Sequence, residues 1–246
     1  MATKTTAATP NTTTTERAAH RPPPAAILVR AAGAALALVP AVLLCSLAVP
    51  HLRDGAAQDA AVPVPVYMIA QVAMPKVAYE DAAAALSRGS PRNGEAAIEQ
   101  AEAVMRAGGP RAHAQAILVR GLSHDPASAR GWTLLSEIAL PTDRKAAARA
   151  LSQALVLAPH DYWLVGARAQ DAALLWSELE ADSRSMALEQ TRILWEEPPL
   201  RSQLLQLLRT PEGVALASRA FAGNEDEIRA MNRWLSRERR EKPPEP

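Results

Sequence analysis

Histidines, runs of carboxylates and tryptophans are the residues of this chain whose side chains could do chemistry. A helical metal site needs two ligands three or four residues apart. His20, His51, His113, His124 and His160 offer no such pair. His124 and His160 flank Pro126 and Pro159, and read as turn residues or as a pH-sensitive contact. Two facing carboxylates can cleave a glycosidic bond. Glu178, Glu180 and Asp182 form an acidic run and Glu196-Glu197 another, but their spacing reads as solvated helix ends. The chain has neither a glycine-rich phosphate loop nor a G-x-S-x-G nucleophile turn. No catalytic, cofactor or metal residue is therefore expected. The five tryptophans stand out against a single phenylalanine. Buried, they are core; exposed, each is an anchor for a partner. Trp132 falls on a packing position, while Trp163, Trp176 and Trp195 are the candidate partner-binding residues, with Trp234 as a further core candidate.

The elements that position these residues follow from composition. Apolar residues make up 48% of the chain and aromatics only 4%, so alanine carries most of the apolar surface. Alanine favours helix, while strands want β-branched and aromatic residues. The expected fold is all-α. A net charge of +1 gives no concentrated basic surface for phosphates, so nucleic acid is not an expected partner. Cys45 is the only cysteine, and no intrachain disulfide can form.

Residues 1–30 are rich in Thr, Ala and Pro and are expected to be a disordered tail. Residues 31–49 carry no charge. As a helix they span about 28 Å, close to the ~30 Å hydrocarbon core of a bilayer. This stretch reads as one transmembrane helix. The alternatives are a cleaved signal peptide, with Ser46-Leu47-Ala48 at the cleavage site, and a lipoprotein using Cys45. Lys4, Arg17, Arg21 and Arg30 precede the stretch against one Glu16, so the N-terminus is expected in the cytoplasm and the rest in the periplasm.

Residues 50–76 read as a linker, extended at Val62-Pro63-Val64-Pro65-Val66. Within it, Tyr67 to Met74 is an apolar strip that packs on the first helices or docks on a partner or the membrane. Residues 77–239 read as a succession of helices. Expected segments are Lys76 to Arg88, Glu95 to Ala107, Arg111 to Leu122, Trp132 to Ala139, Ala146 to Leu157, Tyr162 to Glu180, Ser183 to Trp195, Leu200 to Arg209, Val214 to Phe221 behind a Thr210 cap with Pro211 at the first helical position, and Asn224 to about Arg239. Ile228, Met231, Trp234 and Leu235 are expected to face inward on the last of these. Its basic end, Arg233, Arg237, Arg239, Arg240 and Lys242, suits the helix dipole, or contact with anionic lipid or polymer. Residues 240–246 are expected to be a disordered tail.

Three segments repeat one pattern: Ala114-x3-Leu118-x2-Gly121 before Pro126, Ala147-x3-Leu151-x2-Ala154 before Pro159, and Ala187-x3-Thr191-x2-Leu194 before Pro199. The small first residue lets two helices approach, and the residue four later fills the groove above it. Trp132, Leu135, Ser136 and Ala139 precede the middle copy. Together with Ala147, Leu151, Ala154 and Pro159 they resemble the tetratricopeptide repeat (TPR), with Ser136 where glycine is usual and Leu151 where phenylalanine is usual. The resemblance covers about residues 95–199. It implies an α-solenoid of helical hairpins whose concave face binds a peptide or protein. With the apolar N-terminal stretch, the expectation is a single-pass protein of a bacterial inner membrane. Its periplasmic domain would scaffold protein partners in the envelope, as an accessory to polysaccharide or secretion machinery. The alternatives are an envelope enzyme such as a glycan hydrolase, and a sugar- or peptide-binding module.

Overall fold

Turn signals between the alanine-rich segments end the helices, and several of them also cap the next. The computed structural model describes residues 52–57, 75–89 and 92–241, together with Val49 and Asp59, and all of them fall in the unit Val49–Pro246. The protein is all-α: every regular element among the described residues is helical. From Pro75 onward these are α1 (Lys76–Leu86), α2 (Gly94–Arg106), α3 (Arg111–His124), α4 (Ala129–Ala139), α5 (Arg144–Leu157), α6 (Val165–Leu175) and α7 (Ala181–Glu196). A 3₁₀ turn (Pro198–Leu200) leads into α8 (Arg201–Leu207), α9 (Pro211–Ala220) and α10 (Glu225–Glu241).

The boundaries have local causes. The side chains of Asn93, Ser128, Asp143 and Thr210 accept hydrogen bonds from the backbone N–H groups of Ala96, Gly131, Ala146 and Gly213, which have no partner inside their own helices. Helix α2 ends in a Schellman turn. Gly108 takes φ +74°, Gly109 N–H donates to Val104 O at 2.8 Å, and Gly108 N–H donates to Met105 O at 3.0 Å.

Consecutive helices from α1 to α7 pack on one another. Helices two apart also touch, α2 on α4, α4 on α6 and α5 on α7, and α9 lies against both α6 and α7. The interior is alanine and leucine in two main clusters. Ile98, Ile117, Leu118, Leu122, Leu134 and Ile138 join α2, α3 and α4. Leu151, Leu155, Val165, Leu175, Leu194, Leu204, Leu207 and Leu216 join α5 through α9. Fully burying each of these larger side chains contributes about 1.5–3 kcal/mol.

Arginine closes the helix ends. Of the 27 basic residues, only Lys4, Lys76, Lys145 and Lys242 are lysines. Arg168 donates to Ala158 O past the end of α5, and Arg184 to Trp176 O past α6. Arg201 donates to Trp195 O in the last turn of α7, Arg192 to Ala220 O of α9, and Arg111 to Glu137 O of α4. Arg144 reaches Leu174 O of α6. Each fills a carbonyl left over by the helix and sets a cation at the negative end of its dipole.

The structure moves several expected boundaries. Helix α6 begins at Val165, not Tyr162, because the Asp161 carboxylate accepts from Trp163 N–H at 3.1 Å and holds the chain in a turn. The same helix stops at Leu175, well short of Glu180. Helices α4 and α5 each begin two or three residues earlier than expected, on their capping residues, while α9 begins at Pro211 behind its Thr210 cap, as expected. The stretch 50–76 is not all linker: residues 52–57 are helical, and Ala57 is buried. Helix α10 continues through Glu241, into the expected tail. No helix among the described residues is long and apolar enough to cross a membrane. The span expected at 31–49 lies outside the described residues except for Val49, as do the tail 1–30 and the strip Tyr67 to Met74.

Close backbone approach is the strictest requirement of the packing. A Cβ on Gly94 would stand 2.9 Å from both Asp125 N and Gly121 O, and one on Gly213 would overlap Leu207 O. Backbone atoms at these points cannot swing aside. Gly94→Ala and Gly213→Ala are expected to destabilise the fold by about 1–3 kcal/mol each, as overpacking does, while the exposed Ser185→Ala stays within about 0.5 kcal/mol. Urea denaturation followed by circular dichroism checks this, and equal midpoints for all three variants would contradict it.

Candidate functional site

The loop 158–164 between α5 and α6 gathers the residues best placed to meet a partner. Its backbone is pinned from two sides. Arg168 on α6 donates from Nη1 to Ala158 O at 2.6 Å and from Nε to the Thr133 hydroxyl of α4 at 3.2 Å. Gln190 on α7 donates from Nε2 to Pro159 O at 2.9 Å. Within the loop, Leu164 N–H donates to Asp161 O at 3.0 Å, and Leu164 and Val165 are buried. Tyr162 and Trp163 are left outside this frame, 49% and 67% exposed. A large aromatic side chain left in water on a fixed backbone carries little ordering cost when a partner covers it.

The other two candidate tryptophans are engaged in packing. Trp176 lies between the guanidinium groups of Arg184 and Arg219, at 5.6 and 4.9 Å from its ring centroid. Trp195 meets Trp234 edge-on at 5.8 Å and is covered by Arg201 at 4.5 Å. Both are partly buried, and these cation–π and ring contacts join α6 and α7 to α9, α8 and α10. Of the three, only Trp163 presents its ring to solvent.

The residues expected to pack the repeat occupy the interior. Ala114, Leu118, Ala147, Leu151 and Ala154 are buried with no measurable exposure. Trp132 and Leu135 are partly buried against the α2–α4 cluster, and the Trp132 indole N–H donates to Pro126 O at 2.9 Å. Pro126 and Pro159 stand exposed in the turns. Thr191, the ill-fitting residue of the third copy, is also fully buried, its hydroxyl donating to Ala187 O at 2.8 Å. One inward-facing assignment does not hold as expected: Ile228 is 39% exposed.

Sequence reasoning missed the buried polar groups beside the loop. Arg168 and Asp171 lie on the same arc of α6 as Val165, Ala169 and Ala172, three and six residues on from Val165. That register was the available signal. Asp171 is 8% exposed and sits against Ser136 of α4. Burial pushes the Asp171 carboxyl up to about 7; the Ser136 hydroxyl pulls the other way and the Glu137 charge adds to the rise. Burial likewise pulls Arg168 below its ordinary range, against the opposing charge of Asp161. Nearby, Arg130 bridges α4 to Glu102 at 2.7 Å and Glu99 at 3.4 Å on α2, and Arg106 reaches Glu137 at 3.2 Å. Burial raises Glu99 against the pull of Arg130.

The acidic run is broken up by the fold. Glu178 pairs with Arg144 at 2.8 Å, and hydrogen bonds from Arg144 and Ser177 hold it down at about 2. Glu180 and Asp182 are exposed. His113, His124 and His160 are exposed, and among the described residues no group of three or more His, Cys, Asp or Glu could hold a metal ion. No family model matches the chain, and comparison with curated proteins and with solved structures gave no match.

The raised Asp171 has a definite sign. Its folded value, about 7, exceeds the ordinary 3.8, so the folded state holds an extra proton between these limits. Stability from this group is therefore full below about pH 4 and is lost as pH rises through about 7. Glu99, also raised, acts in the same direction. Glu178, depressed, acts oppositely but only below its ordinary 4.5. Between pH 5 and 7.5 stability is expected to fall as pH rises, with a slope approaching about 1.4 kcal/mol per pH unit. Asp171→Asn should flatten that slope. Chemical denaturation at several pH values decides it, and an unchanged slope in Asp171→Asn would remove Asp171 as the cause.

Proposed function

We propose that this protein is an interaction scaffold of a bacterial envelope. In this reading its helical hairpins stack as a TPR-like α-solenoid in the periplasm, tethered to the inner membrane by residues 31–49. The observation that carries the solenoid is the shared burial of the repeated positions. Ala114, Leu118 and Gly121, then Ala147, Leu151 and Ala154, then Ala187, Thr191 and Leu194 are all buried, in identical spacing. Contacts between helices two apart support the same reading, since stacked hairpins touch in that way. The tether rests on the uncharged 19-residue stretch and the four basic residues ahead of it.

The scaffold binds rather than catalyses, and its anchor is the Tyr162–Trp163 pair. Alanine at an anchor of this kind costs about 2 kcal/mol or more of binding, roughly 30-fold in affinity. Trp163→Ala should leave stability within about 0.5 kcal/mol, because the ring contributes little to the core. A photo-crosslinking amino acid placed at Trp163 in cells is expected to yield discrete adducts with envelope proteins in the membrane fraction. The same probe at Val119, also exposed, serves as the control. Recovery of the chain in the soluble cytoplasmic fraction would sink the tether; identical adducts at both positions would sink the anchor.

A further inference from the structure

The buried polar groups beside the loop 158–164 form a ladder of two steps between α4 and α6. Thr133 meets Arg168, and one turn further along both helices Ser136 meets Asp171. Arg168 has no measurable exposure and is turned toward the loop, where it holds Ala158 O and the Thr133 hydroxyl. Its Nη2 has no hydrogen-bond partner, and neither has Asp171 Oδ2 or Ser136 Oγ, all three buried. Residues three apart on a helix are neighbours, about 5–6 Å between Cβ atoms. A side chain as long as arginine covers that distance by changing rotamer. An arginine and an aspartate thus stand one turn apart in a dry interior without pairing. A buried carboxylate that is ionised needs a cation or donors, so this is the arrangement of the neutral acid.

Few charges face the two groups from the elements packed against α6. Glu137 on α4 is the one that acts on Asp171 among the described residues, and it pairs with Arg106. Asp161 of the loop is the one that acts on Arg168. Helix α7 presents the neutral Gln190 and α8 the neutral Gln203. Arg144 of α5 is taken up by Glu178 and Leu174 O, and Arg219 of α9 lies over Trp176. Arg168 is therefore the cation within reach of Asp171.

We propose that the proton on Asp171 regulates the anchor loop. While Asp171 is protonated, Arg168 keeps Ala158 O and the loop stays fixed. When that proton leaves for solvent, the Arg168 guanidinium turns along α6 to the new carboxylate, and Ala158 O and Thr133 lose their donor. Gln190, through Pro159 O, is then the remaining side-chain hold on the loop backbone. The regulation rests on the reading of Tyr162–Trp163 as the anchor: a fixed loop binds at little ordering cost, and a released one must be reordered. Pairing with Arg168 lowers the carboxyl, so the released state holds fewer protons than the fixed one. Release grows as pH rises, by up to about ten-fold per pH unit, and levels off above about 7, where Asp171 ionises even with the loop fixed.

The test is amide hydrogen exchange of the full chain, with no partner present, from about pH 5.5 to about pH 8 and corrected for the intrinsic pH dependence of exchange. The N–H groups of Asp161, Trp163 and Leu164 bond within the loop and report its opening. They should be at least about ten-fold less protected than the buried amides of α7, and their opening constant should rise at least about ten-fold over this range. In Asp171→Asn, which keeps the shape of the neutral acid, the rise should shrink to within about two-fold. Thr133→Val removes an acceptor used only in the fixed state, and should raise the opening constant about two- to ten-fold at every pH while keeping its pH dependence. Circular dichroism establishes that both variants are folded. Loop exchange that is flat with pH, that rises equally in Asp171→Asn, or that matches the protection of the α7 amides, so that the loop opens only with the whole fold, would overturn the proposal. Loss of the Trp163 adducts in cells would instead remove the anchor and leave the exchange result standing.

Discussion

The arginine-to-carbonyl hydrogen bond at a helix end is the interaction on which this fold leans. Short helices are mostly ends: a helix of eleven residues, such as α4 or α6, leaves four carbonyls without an intrahelical partner. In a stack of such helices many of these carbonyls point at a neighbour, not at water. A buried carbonyl without a donor costs about 1–3 kcal/mol. Arg168, Arg184, Arg192 and Arg201 each come from one helix and satisfy a carbonyl at or just past the end of another. The same bonds fix how far each helix runs past its neighbour. A planar guanidinium can divide its donors between two acceptors, as Arg168 does between Ala158 O and Thr133, and a lysine ammonium lacks that fork. The scarcity of lysine in the chain fits this use.

Alanine and glycine at the crossings are the other half of the arrangement. They let backbones approach closely enough for a side chain on one helix to reach the end of another. Ala114, Ala147, Ala154, Ala169 and Ala172 have no measurable exposure, and Gly94 faces Gly121 where α2 meets α3. Each alanine buries little area, so the leucines between them supply most of the apolar stabilisation. The price of such close spacing is that polar groups on an inner arc, Asp171 and Ser136 among them, have no water to fall back on.

Much of the helical plan was legible because its signals are local. The 3.6-residue pattern, the caps and the prolines placed all ten helices after Pro75, with errors of a few residues at most ends. The start of α6 was not legible, since Asp161 is as good a residue for a helix cap as for the turn it makes, and only the pull of Arg168 and Gln190 on the loop decides between them. The exposure of Tyr162 follows from that same decision. In a helix begun at Tyr162 it would have shared the register of Val165 and Ala169, three and seven residues on. Trp176 and Trp195 could not be told from Trp163 by type, because their partners Arg184, Arg219, Arg201 and Trp234 are brought in by packing. The buried Asp171 was hidden for a related reason: an aspartate among alanines reads as the wet face until the neighbouring helix is known.

Helix α4 gives Leu134 and Ile138 to one apolar cluster and Ala139 to the other. The two interiors therefore meet across a single eleven-residue helix and do not form one continuous mass. Opening fluctuations can be confined to one side of such a seam, the α1–α3 side or the α5–α9 side. Their slowest-exchanging amides need not share one protection free energy. Helix α4, which packs on α2 and α3 on one side and on α5 and α6 on the other, is where a ligand that stiffens one side would first be felt by the other.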